Sequence, residues 1–300
     1  MRMQYLFVAI VLSATGVLPA GAQSTSAPSS TPSCTNTTIN VNSRNQGDVT
    51  PAGVNLSDQV VGSFQDLTTF LVHAFTWSNG TGTLYDYPGA TMTVLGAINN
   101  AGNAVGGYST SSGRAFGFEL AANGQTKSFS VPGAYATEAT GINNFGVIVG
   151  SSETSSYGPY TGFVKRGSTY TTLQFPGAVD TYASAINDAG AVVGWYYDGS
   201  NDHGFLEYQN SYATLEPAGA SSSMAIGINN NGEIVGEYRP NANAEGEGFT
   251  YVKGKYVSYM YPKSTYTQFD GVNSLGDRTG EAITGSNGFL TGPGFLRKCR

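Results

Sequence analysis

The chain has 300 residues and a formal net charge of −6, from 14 Lys and Arg against 20 Asp and Glu. An acidic chain with no Lys/Arg cluster excludes nucleic acid and anionic membrane as partners of its working face. Glycine at 41 residues, roughly twice its usual share, with 12% aromatic and 11% charged residues, suits many short strands joined by tight turns.

From the N-terminus, Met1-Arg2, an apolar run over 6–12 and Ala20-Gly21-Ala22 read as a secretion signal over 1–22, cut before Gln23. The apolar run is too short for a membrane anchor. Removal takes away Arg2 and moves the charge from −6 to −7. Residues 23–33 (QSTSAPSSTPS) form a flexible Ser/Thr/Pro linker, and 34–300 form one domain. No later stretch is long and apolar enough to span a bilayer. The product is expected to be exported: extracellular, periplasmic or at the cell surface.

Within the domain a phrase recurs at Gly53-Val54-Asn55, Ala97-Ile98-Asn99, Gly141-Ile142-Asn143, Ala185-Ile186-Asn187, Gly227-Ile228-Asn229 and Gly271-Val272-Asn273. The asparagines follow one another at 44, 44, 44, 42 and 44 residues, which fixes a repeat architecture. In the third copy, strands are predicted over 136–143, 147–151, 160–165 and 169–175. The Asn-x-x-Gly turns place Gly102, Gly146, Gly190, Gly232 and Gly276, or Asp58 in the first copy, where positive φ is needed. A second hairpin carries Asn79-Gly80, Asn123-Gly124, Arg166-Gly167 and Lys253-Gly254. Gly62, Gly106, Gly150, Gly194, Gly236 and Gly280 fall inside the second strands, as a bulge or close backbone approach requires. Phe75, Phe118, Phe163, Phe205, Phe249 and Phe289 are read as anchors between sheets.

Period-two alternation and glycine at every turn exclude helical repeats. The expectation is an all-β, six-bladed β-propeller of four-stranded blades. The sixth copy ends too soon for a fourth strand, so the N-terminal strand, read over 37–41 (TTINV), is expected to complete the last blade. Cys34 and Cys299 flank the two ends, and a disulfide between them would lock the ring in an oxidising compartment.

The repeat resembles the HAF family of bacterial extracellular repeats. The resemblance rests on His73-Ala74-Phe75, the Gly-Ile-Asn-Asn-x-Gly-x-x-Val-Gly phrase at 227–236 and the linking segment 172–178 (TLQFPGA), and covers nearly all of 36–292. One copy spells His-Ala-Phe; the others carry Gly-Phe. The family implies secretion and a propeller-like fold, and brings no catalytic residues.

Chemistry is sparse. His73 and His203 share a repeat position held elsewhere by Phe116, Thr161, Glu247 and Asn287, a scatter unlike a ligand set. No strained nucleophile turn, Cys-based metal site, phosphate loop or haem signature occurs. No catalytic residue, metal or cofactor is assigned. Carboxylates near one mouth of the ring are Glu138, Asp180, Asp198, Asp202, Glu237, Glu245, Glu247 and Asp270. The segment 198–202 offers oxygens for Ca²⁺, yet lacks an EF-hand's acidic pattern and reads as a polar turn. The richest surface joins second and third strands: Trp195, Tyr196, Tyr197, Asp198, Asp202 and His203 in the fourth copy, Tyr238, Arg239, Glu245 and Glu247 in the fifth. Aromatic planes beside acids and amides suit a sugar face or a peptide backbone. The expectation is a monomeric, non-catalytic binding module for an extracellular glycan or protein. The alternatives are a secreted glycan-active hydrolase or lyase with an acidic mouth, and a purely structural surface protein.

Overall fold

The computed structural model describes residues 33–41, 46–284 and 293–299. The predicted signal peptide, the predicted linker save Ser33, and Phe289 lie outside these residues. Strands and turns make up the described chain, and no helix is formed among the described residues.

Each repeat folds as an antiparallel meander. In the third copy Ala136–Ile142 pairs with Ile148–Glu153, that with Tyr160–Arg166, and that with Thr169–Leu173, within two residues of the predicted bounds. Burial falls outward along the meander. The second strand Val60–Asp66 is almost wholly buried, whereas the fourth, Thr81–Tyr85, is mostly exposed. Among the described residues four sheets have four strands; a further sheet of eight consists of two successive meanders touching through one parallel pair, Ala136 with Ala115. The first strands lie side by side round the molecule, from Gln46–Val54 to Tyr266–Val272, which packs back against Gln46–Val54. The array is therefore circular, a β-propeller with four-stranded blades.

The repeated asparagine explains how the inner strands are held. Asn143 is buried, and its Oδ1 accepts from the amides of Phe145 and Val147, both at 3.0 Å, which shapes the turn. Its Nδ2 then donates to the carbonyl of Asn187 in the next sheet at 3.1 Å. The same bond runs from Asn55 to Asn99, Asn99 to Asn143, Asn187 to Asn229, Asn229 to Asn273, and from Asn273 back to Asn55 at 3.1 Å. An outer course follows it: Leu56 N donates to Asn100 Oδ1, Asn100 N to Asn144 Oδ1, Asn144 N to Asp188 Oδ1 and Asp188 N to Asn230 Oδ1. One end of the ring is thus closed by a belt of buried side-chain amides. The turn glycines take positive φ as expected, 74° at Gly146, and Asp58 does the same at 58°.

The mid-strand glycines sit opposite β-bulges in the first strands. The register of Ala136–Ile142 slips between Ala139 and Gly141, and the bulge turns the Glu138 carbonyl toward Gly150. A Cβ on Gly150 would lie 1.9 Å from that oxygen and 2.8 Å from the Phe163 ring. Phe75, Phe118, Phe163, Phe205 and Phe249 are fully buried in this relation to their glycines.

The last sheet departs from the sequence reading. Its third strand is Gly294–Cys299, and the residue opposite Gly280 is Phe295, fully buried, so Phe295 takes the anchor position assigned to Phe289. Its fourth strand is Cys34–Thr38, three residues earlier than read, paired in register from Cys34 with Cys299 to Thr38 with Phe295. Ile39 and Val41 pass beyond the strand into the core of the first sheet, against Phe64, Phe75 and Trp77. Cys34 and Cys299 form the expected disulfide.

Candidate functional site

The asparagine belt occupies one end of the ring. At the other end lie the beginnings of the first strands and the ends of the second strands, and the carboxylates gather there. Cross-strand partners share a sheet face. Glu138 faces Ser151, Tyr182 faces Trp195, Met224 faces Glu237, and Gln268 faces Glu281, each pair just past a mid-strand glycine. In the first two copies the same places hold Thr50 with Ser63 and Val94 with Gly107. The acidic and aromatic groups therefore line one part of the ring end, and small or neutral residues the other.

Aromatic stacking organises this wall. Tyr182 stacks on Trp195 at 3.8 Å between centroids and meets Tyr160 of the preceding sheet at 4.8 Å. The amide of Tyr160 donates to Asp180 Oδ1 at 2.7 Å. Asp180, Tyr197 and Asp202 are neighbours across three strands of one sheet. In the last sheet Tyr266 donates to Gln268 Oε1 at 2.7 Å, and Gln268 Nε2 donates to Asp270 Oδ1. Thr50 Oγ1 reaches Glu281 Oε2 across the ring closure at 3.2 Å. Glu237 Oε2 and Asp270 Oδ2 are buried with no hydrogen-bond partner.

Removing these acids from water disfavours their charged forms. Burial raises the Glu138 carboxyl to about 8 and moves Glu153 and Glu237 up from their ordinary value. Burial brings Asp202 to about 6 against the opposing pull of His203. Asp270 is raised well above its ordinary value, by burial first and by Glu281 second. Burial also lifts the phenols, Tyr160 to about 12 and Tyr182 and Tyr266 further. At neutral pH the wall is a mixture of neutral and ionised acids, able both to donate and to accept.

Of the ten residues singled out from the sequence, the structure divides most by strand alternation. Trp195, Tyr197, Asp202 and Arg239 fall on the acidic face, and Arg239 acts electrostatically on Asp202 and Glu237, as does exposed Glu245 on Glu237. Tyr196 and Tyr238 fall on the opposite face. Tyr196 stacks on Phe175 at 3.7 Å and packs against a core cluster, so it is an inter-sheet side chain. Tyr238 packs edge-on to Phe249, donates to Glu247 at 3.0 Å and shares a hydrogen bond with Ser258. His203 stacks on Tyr196 and pairs with Glu216 at 3.0 Å and Asp198 at 3.3 Å. Asp198 Oδ1 accepts from the amides of Ser200 and Asn201, which makes 198–202 a self-capped turn. Among the described residues no group of three or more His, Cys, Asp or Glu is arranged to hold a metal ion.

The sequence reading missed Glu153, Glu281, Tyr160, Tyr182 and Tyr266. The signal for two of them, Glu281 and Tyr182, was present: the residue after each mid-strand glycine, and its partner in the first strand. No family model and no curated protein matches the sequence. Solved structures share the fold. The chain is similar to TolB from Acinetobacter baumannii at 13% identity and a TM-score of 0.54, over 71% of this chain and 55% of that one. It is similar to the β-propeller domain of the Trilobed protease from Pyrococcus furiosus at 8% identity and 0.50, over 85% and 95%. The Aleuria aurantia lectin aligns at 12% identity and 0.48, over 80% and 89%.

Proposed function

We propose that the chain is an exported six-bladed propeller of the HAF-repeat kind that binds a glycan without turning it over, at the acidic end of its ring. The observation that carries the reading is the Tyr182–Trp195 stack, partly buried beside Asp180 and Asp202. Sugar rings offer C–H faces to aromatic planes and hydroxyls to acids and amides. Six first strands packed side by side, each leading into a four-stranded meander, support the blade count. A disulfide joining the two ends of the fold supports export to an oxidising compartment. Among the described residues no helix is long and apolar enough to cross a membrane.

A thermal-shift screen of oligosaccharides and polysaccharides tests the reading. A ligand at a hundredfold excess over its Kd stabilises the folded state by about 2.7 kcal/mol. Trp195→Ala and Tyr197→Ala should abolish the shift and leave unfolding near the parent value. If both variants unfold, these side chains are core and the site is not there. The second reading, a glycan-active enzyme, draws on Glu138, whose carboxyl raised to about 8 stays protonated at neutral pH as a general acid must. Product formation that disappears in Glu138→Gln would establish it.

A further inference from the structure

We infer that the wall between the last two sheets takes a protonated amine, so that the preferred ligand is an amino sugar rather than a neutral one. The inference rests on the glycan reading above. Two carboxylate oxygens carry it. Glu237 Oε2 and Asp270 Oδ2 are buried without a hydrogen-bond partner, in side chains only 5% and 8% exposed. They belong to adjacent sheets, and Glu237 acts electrostatically on Asp270. Gln268 does not serve the second oxygen, because its Nε2 donates to Asp270 Oδ1 while its Oε1 accepts from Tyr266. The cation acting on Glu237 is Arg239, the Tyr266 hydroxyl hydrogen-bonds with the Glu237 carboxyl, Asp202 and Glu245 also face it, and Glu281 and Gln268 face Asp270. Glu237 Oε2 and Asp270 Oδ2 are the acceptors left without a donor.

A sugar hydroxyl brings one donor. An ammonium brings three donors and a positive charge, and charge-assisted bonds are roughly twice as strong as neutral ones. Gly246 runs close against this carboxyl: a Cβ there would lie 2.5 Å from Glu237 Oε2 and 2.7 Å from the Tyr266 ring, so only glycine lets the chain pass. Burial holds both carboxyls above their usual range, and a bound ammonium would return them to the ionised form.

The test is isothermal titration of the full domain with oligomers of glucosamine and, separately, the same oligomers fully N-acetylated, in mildly acid buffer. The backbone is shared and the charge is not. The expected result is binding of the deacetylated oligomer tighter by about tenfold or more. Glu237→Gln and Asp270→Asn keep the shape of the protonated acids and should each remove most of that preference without lowering the unfolding temperature. Should either variant fail to fold, the parent protein still decides the matter, because the preference must vanish in alkaline buffer, where the amine is neutral. Equal binding, preference for the acetylated oligomer, or a preference that persists in alkaline buffer overturns the amine and leaves the glycan reading standing. A screen in which no sugar binds overturns both.

Discussion

Replacing Asn143 by alanine measures what the belt contributes. The side chain makes three hydrogen bonds, two within its turn at 3.0 Å and one to the Asn187 carbonyl of the next sheet at 3.1 Å. It is buried, so the amides and the carbonyl left behind have no easy route to water. At about 1 kcal/mol per bond, with a further penalty for stranded groups, the loss should be about 3–4 kcal/mol. Against a usual total of ~5–15 kcal/mol that is a large fraction. Urea unfolding followed by tyrosine and tryptophan fluorescence gives the number. Asn144→Ala is the control, because its bonds to Asn100 N and Asp188 are exposed, and it should cost under about 1 kcal/mol. An Asn143→Ala variant within about 0.5 kcal/mol of the parent would show that the belt follows from ring closure and does not support it.

Reducing the Cys34–Cys299 bond, or replacing both residues by serine, frees a loop of 265 residues and should lower stability by up to about 5 kcal/mol in the chain-entropy model; matched melts with and without reductant test this. Gly150→Ala drives a Cβ to 1.9 Å from the Glu138 carbonyl, so it should destabilise by at least about 2 kcal/mol, whereas a neutral result in urea would mean that the bulge relaxes freely. The Glu138 carboxyl rises from 4.5 to about 8 on folding, so the folded state binds more protons between those values and stability should fall as pH rises through that window. Glu138 contributes at most about 1.4 kcal/mol per pH unit to the fall, and Glu138→Gln should make it shallower by that share while the other buried acids keep the rest, as pH-resolved urea titrations of the two proteins would reveal.

Local geometry and the closure of the ring by the N-terminal strand and its disulfide were legible in the sequence, and the contacts between neighbouring sheets were not. The Asn-x-x-Gly turns, the second hairpins and the mid-strand glycines follow from backbone sterics that a few neighbouring residues decide. Even here one hairpin escaped notice, since Gln209 and Asn210 take φ of 53° and 64° with no glycine between the strands. The repeated asparagine was read as a turn former, and its Nδ2 bond to the next sheet needs the ring to exist first. The sequence holds Gly-Phe-Leu twice near its end, at 288–290 and 294–296. The second is the strand, and in that register Cys299 meets Cys34. At the site, reading the loop residues as one patch ignored the period-two alternation that sends Trp195 to the acid wall and Tyr196 into the core. Glu281 and Tyr266 joined the wall only once the first and last sheets were known to be neighbours.

The pairing of Cys34–Thr38 with Gly294–Cys299 also sets the order of events in folding. The strand that closes the ring is synthesised well ahead of its partner, which follows 265 residues later. At ~5–20 residues per second that interval is roughly 13–53 s. Once the first sheet has been made, Ile39 and Val41 have a sheet to bury against, while Cys34–Thr38 still has no strand to pair with. Contacts so distant in sequence form slowly. The chain thus carries an unmatched edge at both ends until the final join, and whatever guards those edges in the meantime acts on a nearly finished molecule rather than on an unfolded one.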